Sequence, residues 1–183
     1  ANLAKCNIMD QIILRKGDGL CPLKPGEADT AIAAGLSGDR IAEILASPQT
    51  KRLGLKRLIT QPNTNLTLLR QAMSHAGWQI TAESMVACRR RFFVIIVFEG
   101  VDEPTTLSFS DATLGPILRQ NPQAPLYGIW VKQALHKAQT KANGYKDAGP
   151  QHQQTLARVR QELEILDQAH QEMSKPPKTP ADK

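Results

Sequence analysis

The sequence predicts an α/β fold, a mostly parallel sheet that ends in a β-hairpin and carries a helical arm. Three observations predict it. Short β-rich runs alternate with stretches whose apolar residues recur at helical spacing. Two longer β-rich runs then follow each other with only Cys88-Arg89-Arg90-Arg91 between them. Beyond Gly100 the chain shifts to two long helical stretches punctuated by Asn143-Gly144 and Gly149-Pro150.

Taken in order, Ala1 to Asn7 is compatible with a short helix. Ile12 to Arg15 is a strand candidate running into a Gly17-Asp18-Gly19-Leu20 turn. Thr30 to Ala34 is a small apolar run of buried-strand type. After Gly35-Leu36-Ser37-Gly38, the spacing of Ile41, Ile44 and Leu45 predicts a helix capped by Ser37 or Asp39 and closed by Pro48. Leu55 to Thr60 is the next strand and leads into Gln61-Pro62-Asn63. A helix follows over Asn65 to Ala76, with Leu66, Leu69, Met73 and Ala76 as its stripe and Gly77 at its C-terminal turn. Trp78 to Ala87 and Phe92 to Glu99 form the closing hairpin, which adds an antiparallel strand to the sheet edge.

Val101 to Phe109 reads as irregular and Leu114 to Asn121 as a short helix. The arm helices run over Leu126 to Ala142 and Gln151 to Met173. Leu156, Val159, Leu163 and Leu166 step by three and four, as in a coiled-coil seam. The tail from Ser174, rich in Lys and Pro, is expected to be disordered. The expected organisation is a sheet domain over 1–110, an antiparallel helical arm over 111–173 and a tail over 174–183.

The 183 residues suffice for one domain with a core and an appendage. Twenty-three Lys and Arg face 17 Asp and Glu, a net charge of +6 that favours an anionic partner such as nucleic acid. Aromatic residues make up 4%, too few for a protein that binds single strands mainly by stacking. Three dispersed cysteines give neither a disulfide framework nor a zinc knuckle, and the four histidines lie apart, so no metal site is expected. Reduced thiols, no signal peptide and no apolar run of about 20 residues point to a cytoplasmic protein without a membrane partner.

In open α/β sheets, ligands sit beyond the carboxyl ends of the strands. Three strand ends carry unusual chemistry. Asp18 can accept from an adenine amino group while a neighbouring N–H donates to the ring, with glycines on both sides; an ordinary Asp-Gly turn is the alternative. The loop from Ala34 to Gly38 is small enough for a ligand to lie against. Gln61 and Asn63 offer amides that donate and accept at once, although Asn63 also suits a helix cap. Lys132, Lys137, Lys141, Lys146, Arg158 and Arg160 on the arm, with Arg89, Arg90 and Arg91 at the hairpin tip, suit phosphate contacts; a solvated helical surface is the alternative.

In order, these features resemble one family, the bacterial tRNA (adenine(22)-N1)-methyltransferases known as TrmK. The resemblance runs through Arg15-Lys16-Gly17-Asp18-Gly19-Leu20, Glu27-Ala28-Asp29, Ala34-Gly35-Leu36-Ser37-Gly38 and Arg57-Leu58-Ile59-Thr60-Gln61-Pro62-Asn63. It continues through Arg91-Phe92-Phe93 to Gly115-Pro116 and Trp130, so it covers nearly the whole chain. It implies a class I, Rossmann-like methyltransferase fold, S-adenosylmethionine as cofactor and the N1 of an adenine in tRNA as methyl acceptor. Gly17, Asp18, Gly19 and Leu20 would hold the cofactor's adenine, and Ala34 and Gly35 would line the cofactor and target cleft. Gln61 and Asn63 would sit by the entering base as the candidate catalytic pair. Leu36 and Ser37 stand where the family has Met and Gly, and Phe92 or Phe93 stands where it has Tyr.

The resemblance also implies a first strand, a glycine-rich loop and a second strand with an acidic residue, none of which this sequence shows. The fold is therefore expected to be partial, with apolar surface uncovered on the Thr30 to Ala34 strand and poor stability. An incomplete sequence explains this most simply. The competing reading is a catalytically inactive remnant that acts as an RNA-binding protein.

Overall fold

The computed structural model describes residues 11–89, 91–145 and 149–174. Four strands, β1 (Thr30–Ala34), β2 (Arg57–Gln61), β3 (Trp78–Cys88) and β4 (Arg91–Gly100), form one sheet in the order β1-β2-β4-β3. β1 and β2 are parallel, with Ile32 opposite Ile59, and β4 runs antiparallel to both β2 and β3. The helices are α1 (Gly38–Leu45), α2 (Pro48–Arg52), α3 (Leu66–His75), α4 (Phe109–Leu114), α5 (Pro125–Gly144) and α6 (Gln153–Ser174). Two 3₁₀ turns, Leu118–Gln120 and Pro150–His152, precede α5 and α6.

The alternation of the strands decides which face is core. Leu58 and Thr60 on β2, with Val94, Ile96 and Phe98 on β4, are buried against Leu69 and Met73 of α3 and Ile41 and Leu45 of α1. The same core continues into the arm through Trp130, Val131, Leu135, Leu166 and Ala169. Burying each large side chain contributes about 1.5–3 kcal/mol, so the arm helices are held by packing onto the sheet domain as well as by each other. Their ends meet as an antiparallel pair requires: Gly128 lies near Met173, and the Tyr145 and His152 rings meet at a tilt with centroids 5.5 Å apart. Of the seam residues, Val159 and Leu166 are buried and Leu156 and Leu163 half-buried.

Four expectations need correction. Ile12 to Arg15 forms no strand. It has no neighbour to pair with among the described residues, and Ile13 and Leu14 are 79% and 69% exposed. Local propensity cannot make a strand without a partner ladder. Pro48 opens α2 rather than merely closing α1, because Ser47 caps it and proline is preorganised for a first helical turn. The short helix expected over Leu114 to Asn121 is split: α4 ends at Leu114, Gly115 takes φ +85°, and a 3₁₀ turn follows. Asn65, in a left-handed conformation, occupies the α3 cap position expected as the alternative for Asn63. The Ala1 to Asn7 helix, Arg90, Lys146 and residues 175–183 lie outside the described residues.

β1 pairs with β2 alone among the described residues, and Ile32 is 72% exposed on it. The expected uncovered apolar surface on this strand is present.

Candidate active-site rim and arm cleft

Parallel pairing brings the carboxyl ends of β1 and β2 to one rim, and the register Thr60 to Ile96 makes the first residues of β4 project beyond that same rim. The hairpin tip with Arg89 and Arg91 is therefore on the rim side. Arg89 is exposed at φ +48°, and the Arg91 guanidinium lies 5.6 Å from the Phe93 ring centre.

Two rim loops are laced together. The Gly35 N–H donates to the Gln61 carbonyl at 3.0 Å, and the Asn63 N–H donates to the Leu36 carbonyl at 2.8 Å. The Gln61 side-chain amide donates to Asn63 Oδ1 at 3.3 Å, while Asn63 Nδ2 donates to the Gly35 carbonyl at 2.7 Å. The two amides thus form a relay ending on the backbone of the β1 loop. Gly35 takes φ +79°, which disfavours any side chain, and a Cβ there would meet nothing within 4 Å. The backbone of Gly35 thus faces open space.

The Asp18 turn is built differently. The Cys21 N–H donates to the Asp18 carbonyl at 3.1 Å, so Asp18 to Cys21 is a β-turn. A Cβ at Gly17 would strike Pro22 and one at Gly19 would come 3.0 Å from Ile44, so both glycines are needed for the close packing of the turn. The Asp18 carboxylate accepts from Arg40 at 2.7 and 2.9 Å. Asp18, Gly19 and Leu20 line a cleft of about 320 Å³ against α1, and Gly35 is not in its lining. The stem of this turn is clamped by an Arg15–Glu27 ion pair, and that hydrogen bond pulls the Glu27 carboxyl down to about 2. Sequence reasoning quoted both residues in its motifs without seeing the clamp; opposite charges flanking a Gly- and Pro-rich loop were the available signal.

A second cleft, also about 320 Å³, lies between the rim and the arm. Pro62, Asn63 and Phe92 form one wall, and Trp130, Lys137 and Lys141 of α5 form another. Lys132 is exposed and does not line it. Arg158 is instead tied to Gln71 at 3.1 Å and lies over Phe109.

The arm's root is fixed by a pair that sequence reasoning missed. Arg70 of α3 and Glu83 of β3 are both fully buried, with Nε to Oε1 at 2.8 Å. Arg70 also donates to the Ala112 carbonyl at 2.7 Å, and Glu83 Oε2 accepts from the Ile117 and Leu118 N–H groups at 3.0 and 3.3 Å. Burial lowers the Arg70 pKa, and Glu83 opposes that shift. A Cβ at Gly115 would come 2.8 Å from both partners, so the Gly115-Pro116 motif marks where backbone must pass close to a buried ion pair.

Strand order, rim loops and arm define a Rossmann-type α/β protein with a basic helical arm beside the carboxyl-end rim of its sheet. The family model described as "TrmK: tRNA (adenine(22)-N(1))-methyltransferase" matches residues 1–170, and the chain belongs to that family. The tRNA (adenine(22)-N(1))-methyltransferase of Bacillus subtilis strain 168 is 30% identical over 136 residues, covering 72% of this chain and 57% of that protein. The chain thus spans a little over half the length of that relative. The crystal structure of the B. subtilis m1A22 tRNA methyltransferase TrmK superposes with a TM-score of 0.74 at 25% identity, covering 92% of this chain and 74% of that one. A Streptococcus pneumoniae protein in complex with S-adenosyl-L-methionine superposes with a TM-score of 0.69 at 25% identity, covering 92% and 73%.

Proposed function

We propose that the chain carries the acceptor side of an S-adenosylmethionine-dependent tRNA methyltransferase that modifies N1 of an adenine, acting in the cytoplasm. The observation that carries this reading is the position of Asn63. It holds the Gly35 backbone on one side and forms the wall of the lysine-lined arm cleft on the other. Among the described residues no helix is long and apolar enough to cross a membrane, which fits a partner met in solution.

The residues fit the cofactor's adenine end in part. The open backbone at Gly35 suits a flat ring, and Asp18 offers an acceptor once Arg40 moves aside. That pair is exposed and screened by solvent, so the exchange is accessible. Ala34, Gly35 and the Asp18 turn are the residues that would hold the group. When bound, it supplies an electrophilic methyl for direct displacement. The protein's part is then positioning: Asn63, held by Gln61, fixes the loop carbonyl, and the two amides orient the entering base. Lys137, Lys141 and the hairpin arginines hold phosphates and set the register of the RNA without reading sequence.

The test is incubation with methyl-labelled S-adenosylmethionine and unmodified tRNA, followed by digestion to nucleosides. The reading predicts label in 1-methyladenosine. Salt-sensitive tRNA binding with no transfer supports the inactive RNA-binding remnant instead.

A further inference from the structure

We infer that the arm cleft receives a single unstacked nucleotide of the RNA, its base against Phe92 and its phosphate at Lys137 and Lys141. The inference rests on the tRNA methyltransferase reading and adds to it a defined pocket. The cleft's roughly 320 Å³ lies at the small-ligand end of binding-site volumes. Phe92, half-buried in the lining, supplies a π face in a chain that has few, whereas Trp130 is buried in the core beside Tyr127. Lys137 and Lys141 are one helical turn apart on α5, both exposed, and neither forms an ion pair among the described residues.

The lining also holds an unmet polar group. Thr113 is 3% exposed, and its hydroxyl has no hydrogen-bond partner. A buried hydroxyl left unpaired is unfavourable, and a polar ligand edge would pair it. Glu162, in the same lining and bonded to Thr67 at 3.3 Å, adds an acceptor suited to a base's exocyclic amine. One aromatic face, one donor, one acceptor and two cations match a nucleotide. A base inside a duplex could not enter between a sheet rim and a helix pair, so the nucleotide must leave its stack.

The experiment measures tRNA affinity for the wild-type chain, Ala134→Trp, which fills the cleft, Lys137→Met with Lys141→Met, and Lys132→Met as a surface control. Calorimetric titration with adenosine 5′-monophosphate is run on each, and urea unfolding confirms that each variant folds. The inference expects Ala134→Trp to lose the monophosphate and roughly tenfold in tRNA affinity, the loss of one stacked base. It expects the double lysine change to flatten the logarithmic salt slope by about 0.7, the share of one single-strand phosphate, and Lys132→Met to leave monophosphate binding intact. Wild-type tRNA binding that survives both cleft changes undiminished overturns the inference and leaves the methyltransferase reading standing. A wild-type chain that binds no tRNA at all overturns both.

Discussion

Replacing Glu83 with alanine isolates the pair at the root of the arm. Both Arg70 and Glu83 are fully buried, so the substitution leaves an uncompensated guanidinium in the core. Breaking such a pair costs about 3–5 kcal/mol, and the Ile117 and Leu118 N–H groups lose their acceptor at the same time. With a urea slope near 2 kcal/mol per molar, the unfolding midpoint should fall by about 2 M. Replacing both partners, Arg70→Met with Glu83→Leu, removes the stranded charge. It should recover part of the loss, since the Ile117 and Leu118 N–H groups stay unpaired at roughly 1–3 kcal/mol each. The assay is urea unfolding followed by circular dichroism for both single variants and the double variant. A loss below about 1 kcal/mol for Glu83→Ala, or a double variant as unstable as the summed single variants, would refute the claim that this pair locks α3, β3 and the arm root together.

Other expectations follow from the same geometry. Gly115→Ala should destabilise on two counts, the left-handed φ and the clash with Arg70 and Glu83, and should not be rescued by lower temperature in a thermal melt. Arg40→Ala should leave the urea midpoint almost unchanged while strengthening S-adenosylmethionine binding by at most about fivefold in calorimetry, because it frees an exposed Asp18. Glu27 has its pKa depressed in the fold, so its contribution is fully present above the ordinary carboxylate range and is lost as pH falls toward about 2. The acid limb of a stability-against-pH curve should therefore be shallower for Arg15→Leu than for the wild type.

Much of the sheet was legible because its strands carry their own boundaries. β2, the hairpin and α3 are marked by apolar period and by Gln61-Pro62-Asn63 and Gly77. Ile12 to Arg15 was misread because a strand is a property of two segments, and a β-rich run says nothing about whether its neighbour exists. The Asp18 turn was legible as a turn, but the reason for its glycines lay in Pro22 and Ile44, contacts that spacing does not reveal. The arm's basic residues could be read from composition. Which of them share a cleft with Asn63 depended on helix phase and docking, which is why Lys137 and Lys141 separate from Lys132. The Arg70–Glu83 pair was invisible because each residue alone reads as a surface charge on its element.

The most direct measurement compares transfer rate with tRNA affinity for Asn63→Ala. If Asn63 joins the Gly35 loop to the arm cleft, losing its hold on the Gly35 carbonyl misplaces the reacting groups, and transfer should fall by about 100-fold. tRNA affinity, carried by phosphate contacts elsewhere, should stay within about twofold. A transfer rate that survives the substitution, or a loss explained wholly by weaker tRNA binding, would contradict the account.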